Sequence, residues 1–93
     1  GLVVALDLTT GETVWRDEPE WTAFTPVASD DTLVVAGSVR NDRERTVGKV
    51  RAYDRTTGDV LWTQTFNAGA PDGLALVEDR VFVTIATSLY DLT

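Results

Sequence analysis

ALDLTTGETVW (residues 5–15) returns at residues 52–62 as AYDRTTGDVLW. Aligned, the two stretches match Ala5 with Ala52, Asp7 with Asp54, Thr10 with Thr57, Gly11 with Gly58 and Trp15 with Trp62. A third copy opens with Leu89-Tyr90-Asp91-Leu92-Thr93, which sets Asp91 in line with Asp7 and Asp54. Asp7 and Asp54 lie 47 residues apart, Asp54 and Asp91 37. The surplus falls in the charged segment 40–48, which reads as a loop about ten residues longer than its counterpart in the next repeat. Repeats of roughly 40 residues with strand-like content point to a propeller or a related array.

The stretches between the copies support that reading. Segments 2–7, 12–17, 32–38, 49–54, 59–66, 74–78 and 80–86 are short, rich in Val, Thr and aromatics, and bounded by turn residues. A weaker strand covers 22–28, where Pro26 argues for an edge or a strand start. No apolar period of 3.6 residues persists long enough for a helix. Consecutive strands are expected to run antiparallel, with 49–54 and 59–66 paired around Thr56-Thr57-Gly58.

Each part of the repeated phrase has a mechanical task. Asp-x-Thr-Thr-Gly reads as a hairpin loop whose Asp accepts hydrogen bonds from backbone N–H groups of the turn. The Gly allows the positive φ that such a loop needs at its last position. The Trp buries a large apolar surface, and its N–H seeks an acceptor. The small Ala permits close packing. Asp7, Asp54 and Asp91 are therefore expected to be turn acceptors, with no shared acidic site among them. Asp30-Asp31 and Glu78-Asp79 read as solvated hairpin turns, since Ca²⁺ needs about six to eight convergent oxygens and no local spacing here supplies them.

Composition narrows the chemistry. The 93 residues contain no Cys and no His, which removes disulfides, thiol nucleophiles and the commonest general base and metal ligand. The net charge is −7, and such a surface repels phosphate backbones, so nucleic-acid binding is not expected. Ten Asp and a single lysine, Lys49, on a Thr/Val/Ala-rich background resemble the surfaces of extreme halophiles, where screening reduces repulsion among hydrated carboxylates. No apolar run approaches a membrane span, and no leader peptide is visible.

A-x-D-x-x-T-G-x-x-x-W resembles the tryptophan-docking motif of the pyrroloquinoline-quinone (PQQ)-like β-propeller repeats. Two full copies and one truncated copy cover nearly the whole chain. The resemblance implies an all-β fold of antiparallel four-stranded blades, with about two blades represented. The motif would span a blade's third strand, turn and outermost strand. Trp15 and Trp62 would be staples between blades, with Gly11 and Gly58 on the docking surfaces, and Trp62 is expected to be largely buried near the equivalent turn of the adjacent repeat. Residues 1–17 would end one blade, 18–66 form a complete one and 67–93 begin the next, all within a single propeller domain. The chain is then expected to be part of a longer protein, or to oligomerise, because a run of repeats buries its faces on neighbours.

The family implies two kinds of task. One is a non-catalytic scaffold or protein-interaction module, with a protein partner, at the cell surface or elsewhere outside the cytoplasm. The other is a PQQ- and Ca²⁺-dependent alcohol or sugar dehydrogenase. The scaffold is the reading adopted here, with no catalytic, cofactor or metal residues assigned. An immunoglobulin-type sandwich would also be all-β but gives no reason for the repeat. Two features lie outside the motif. Trp21 falls in a connection between blades, where it would pack or meet a partner. Arg40, Arg43 and Arg45 make the segment 40–48 locally cationic, a solvated loop or a loop that binds a partner.

Overall fold

The computed structural model describes residues 1–85. Asp91 and the rest of the third motif copy lie outside the described residues. Eight strands form three antiparallel sheets. β1 (Val3–Leu6) pairs with β2 (Thr13–Asp17). β3 (Thr22–Ala28), β4 (Thr32–Arg40), β5 (Thr46–Asp54) and β6 (Val60–Phe66) form a four-stranded meander in chain order. β7 (Pro71–Val77) pairs with β8 (Arg80–Ile85). No helix occurs among the described residues. This is the architecture of β-propeller blades.

The core follows from the two-residue period of a strand. On β4 and β5, successive side chains point to opposite faces. Val35 and Tyr53 face the β1–β2 sheet and join Val3, Trp15 and Trp21 in one buried cluster. Val34, Ala36, Val50 and Ala52 face the β7–β8 sheet and form a second, on which Leu74, Leu76, Val81 and Val83 pack. β4 is thus apolar on both sides, as expected for a strand covered on both faces, while β5 carries Lys49 and Arg51 on the face it shares with Tyr53. The largest fully buried side chains are Tyr53, Val34 and Val50. Pro26 lies on the edge strand β3 opposite Val35, where its missing N–H leaves no central ladder bond unmade. Leu2 and Val4 stay exposed.

One expectation is corrected here. Segment 40–48 is not a ten-residue loop. β4 and β5 pair without a bulge from Thr32↔Asp54 to Arg40↔Thr46, so the surplus residues lengthen a hairpin and leave only a tight turn at 41–45. Val39 and Val47 drive the extension: they pair across the ladder, Val47 is buried, and Val39 packs against the first core cluster. Trp21 packs, the first of the two roles that its place in the connection suggested. It is 5% exposed and lies over Gly37, where a Cβ would collide with its ring. A glycine on β4 therefore makes the slot that draws this indole out of the connection and into the core.

Candidate functional site

The two motif turns are built alike, bond for bond. Asp7 Oδ1 accepts from the N–H groups of Thr9 (2.8 Å) and Thr10 (2.9 Å), and Asp54 Oδ1 from those of Thr56 (2.9 Å) and Thr57 (3.0 Å). Gly11 N–H donates to Asp7 O and Gly58 N–H to Asp54 O, each at 2.8 Å. Thr10 and Thr57 hydroxyls accept from the N–H groups of Glu12 and Asp59. Gly11 and Gly58 take φ of 77° and 82°, the left-handed region that side chains resist. The turn N–H groups hold both carboxyls below the usual carboxylate range, Thr10 having the larger effect on Asp7 and Thr57 on Asp54.

The strand after the first turn carries Trp15 across to the central sheet. Its ring lies 5.2 Å from Tyr53, nearly parallel, and its indole N–H donates to Arg55 O at 2.9 Å. The same ring covers Gly58: a Cβ there would stand 2.6 Å from Cδ2 and 2.7 Å from Cγ. One motif's Trp thus rests on the next motif's Gly and bonds to the backbone between that motif's Asp and Thr. Gly11 faces open space, with nothing within 4 Å of a Cβ built on it. Ala5 pairs opposite Trp15 and Ala52 is fully buried, so both small residues sit where sheets approach.

Beside this socket lies a polar cluster that motif reading missed. Asp17 Oδ2 accepts from the Tyr53 hydroxyl at 2.6 Å and from Arg51 at 2.8 Å. Arg51 also donates to Thr63 Oγ1 and sits 5.4 Å over the Trp21 ring. Asp17 thereby ties the β1–β2 sheet to the central one. Burial works against ionisation of Asp17, but the bonds from Tyr53 and Arg51 outweigh it and hold the carboxyl below its ordinary range. Burial, then the Asp17 bond, pushes the Tyr53 hydroxyl up to about 12. The cluster is not repeated: Gln64 stands where Asp17 stands relative to the motif Trp. A departure from the repeat, Leu6 against Tyr53, was the available signal.

These shifts set a pH dependence. Asp7, Asp17 and Asp54 have folded pKa values below their unfolded values. Their contribution is complete above about pH 4 and is lost as pH falls through the folded values. An acid titration followed by tryptophan fluorescence should show stability falling below that pH, with Asp17→Asn reducing the slope. Tyr53 is the opposite case. Its contribution is present below pH about 10 and should disappear as pH rises toward 12.

The remaining candidates are dispersed. Trp62 is 39% exposed, against the expectation that it is buried. It lines an open groove of about 360 Å³ with Leu61, Leu76 and Val81. The third motif copy lies outside the described residues. Arg40, Arg43 and Arg45 lie at the hairpin end, with Arg40 three residues beyond the Gly37 that Trp21 covers. Among the described residues no three His, Cys, Asp or Glu side chains are placed to hold a metal ion, and no helix is long and apolar enough to cross a membrane. What the geometry builds is a docking device between sheets, with its aspartates bonded into turns or to Tyr53 and Arg51.

Comparison with known proteins agrees with this architecture. A family model described as outer membrane protein assembly factor BamB, a PQQ-repeat family, matches residues 1–92. A quinoprotein glucose dehydrogenase from Escherichia coli (strain K12) is 39% identical over 59% of the chain. The chain spans 7% of that relative's length.

Proposed function

The chain belongs to the PQQ-repeat β-propeller family described as outer membrane protein assembly factor BamB, and we propose that it serves as a section of a non-catalytic propeller that works as a scaffold or protein-interaction module outside the cytoplasm. In this reading 1–17 close one blade, 18–66 form a complete blade and 67–93 open the next, within one propeller domain. The family match over residues 1–92 carries the proposal, because an assembly factor acts through contacts with other proteins. The chemistry of the motif supports it: Asp7 and Asp54 are engaged by turn N–H groups, and Trp15 and Tyr53 by each other. No cofactor is assigned to these residues.

A second reading has its own support. The similarity to a quinoprotein glucose dehydrogenase favours a sugar dehydrogenase that would hold PQQ and Ca²⁺ elsewhere in a longer chain. The full-length protein should be loaded with PQQ and Ca²⁺ and given glucose and an electron-accepting dye. The scaffold reading expects no sugar-dependent dye reduction, and a photo-crosslinker at Glu44, exposed on the turn of the β4–β5 hairpin, should give a discrete adduct with one protein in intact cells. PQQ-dependent turnover would transfer the function to the second reading.

We also propose that the acidic surface, net −7 with a single lysine, is an adaptation to concentrated salt. Screening should then raise the melting temperature by several degrees between dilute buffer and molar KCl. A flat or falling melting temperature would remove this proposal without touching the scaffold reading.

A further inference from the structure

The β4–β5 hairpin extends past its neighbours. β3 pairs with β4 only as far as Ser38, and β6 with β5 only as far as Gly48. Residues 39–47 therefore extend as a two-stranded ribbon beyond the flanking strands, anchored at its base by the buried Val47 and by Val39. A ribbon of that kind is marginal by itself, yet this one ends in a rigid turn. Asn41 N–H donates to Arg45 O and Glu44 N–H to Asn41 O, each at 2.9 Å. Asn41 Oδ1 accepts from the N–H groups of Arg43 (2.9 Å) and Arg45 (3.0 Å). Arg40 folds back to donate to Glu44 O, and Glu44 takes a positive φ of 59°.

That turn forms one wall of a cleft of about 400 Å³, and Asn67, from the connection after β6, stands on the other. Arg43, Arg45 and Asp42 line the cleft; Arg40 and Glu44 do not. Among the described residues, the ion pairs are Arg16–Glu18 and Arg51–Asp17, so neither cleft arginine is neutralised. Two arginines on an otherwise acidic chain thus line one cleft.

We propose that this cleft binds a carboxylate from an acidic segment of a protein partner. The proposal rests on the scaffold reading and names the chemistry of its partner. Guanidinium matches a carboxylate through two parallel hydrogen bonds, and the Asn67 amide offers a further donor. Asp42 decides between anions. It repels a compact, multiply charged ion such as phosphate but accepts a hydrogen bond from an N–H group. An Asp or Glu side chain next to its own backbone N–H satisfies both signs at once. The hydrogen-bonded turn fixes the backbone from which the two arginines rise, which reduces the part of the ordering cost that falls on the main chain.

The test uses the full-length protein and a fluorescently labelled, blocked acidic tetrapeptide, read by anisotropy. Its Asn/Gln counterpart and inorganic phosphate serve as competitors. The acidic peptide should bind, neither competitor should displace it, and Arg43→Gln with Arg45→Gln should weaken it about tenfold or more. Arg80→Gln, exposed and outside both the cleft and its turn, should leave binding unchanged, and melting temperatures should confirm that all variants fold. No binding to the wild-type protein, equal competition by the amide peptide or by phosphate, or indifference to the Arg43 and Arg45 substitutions would each overturn the assignment. Such a failure, with no PQQ-dependent turnover, leaves the scaffold reading standing; turnover removes the scaffold whatever the peptide does.

Discussion

Trp15→Ala is expected to lower the unfolding free energy by about 3–5 kcal/mol, the range for removing a large core aromatic. The side chain is 8% exposed, stacks on Tyr53, covers Gly58 and donates to Arg55 O. Its loss opens a void between two sheets and leaves the Arg55 carbonyl without the indole N–H. Small domains have only about 5–15 kcal/mol in total, so this single change should bring the protein close to unfolding at room temperature. Chemical denaturation monitored by far-UV circular dichroism checks it. Trp62→Ala provides the contrast: at 39% exposure it has less contact to lose and should cost markedly less in the described arrangement.

Gly58→Ala is expected to cost about 2–5 kcal/mol, from two sources. A φ of 82° disfavours any L side chain by about 1–2 kcal/mol, and a Cβ 2.6 Å from the Trp15 ring forces that ring out of its seat, an overpacking cost of about 1–3 kcal/mol. Gly11→Ala separates these sources. Gly11 has nearly the same φ, 77°, but open space where Trp15 lies over Gly58. It should therefore show only the backbone cost of about 1–2 kcal/mol. Melting temperatures of the two variants, measured side by side, decide whether Gly58 is needed for its φ alone or also for the ring above it.

The all-β fold and the repeat family were legible because the repeated phrase is local. A turn that binds its own backbone through Asp7 or Asp54 carries its instructions within six residues. The residues that the sequence hid depend on partners far along the chain. Trp21 looks like a linker aromatic until Gly37, sixteen residues later, supplies a slot beneath it. Asp17 looks like one acid among many until Arg51 and Tyr53 arrive from another sheet. The hairpin was hidden for a different reason. Its alternating charges resemble a solvated loop, and only Val39 opposite Val47 discloses a ladder. Trp62 shows the reverse: a motif position suggests burial, yet a motif Trp is buried by what it docks on, as Trp15 is by Tyr53 and Gly58, and its own spacing does not supply that.

The central claim is that successive repeats are joined by the first motif's Trp resting on the second motif's Gly. A double-mutant cycle on Trp15 and Gly58 measures that contact directly. With the ring gone, Ala at position 58 meets no indole, so Gly58→Ala in the Trp15→Ala background should fall to the about 1–2 kcal/mol backbone cost seen at Gly11. A coupling energy of about 1 kcal/mol or more is expected, as for residues in contact. Strict additivity, with Gly58→Ala equally costly whether or not Trp15 is present, would contradict the account.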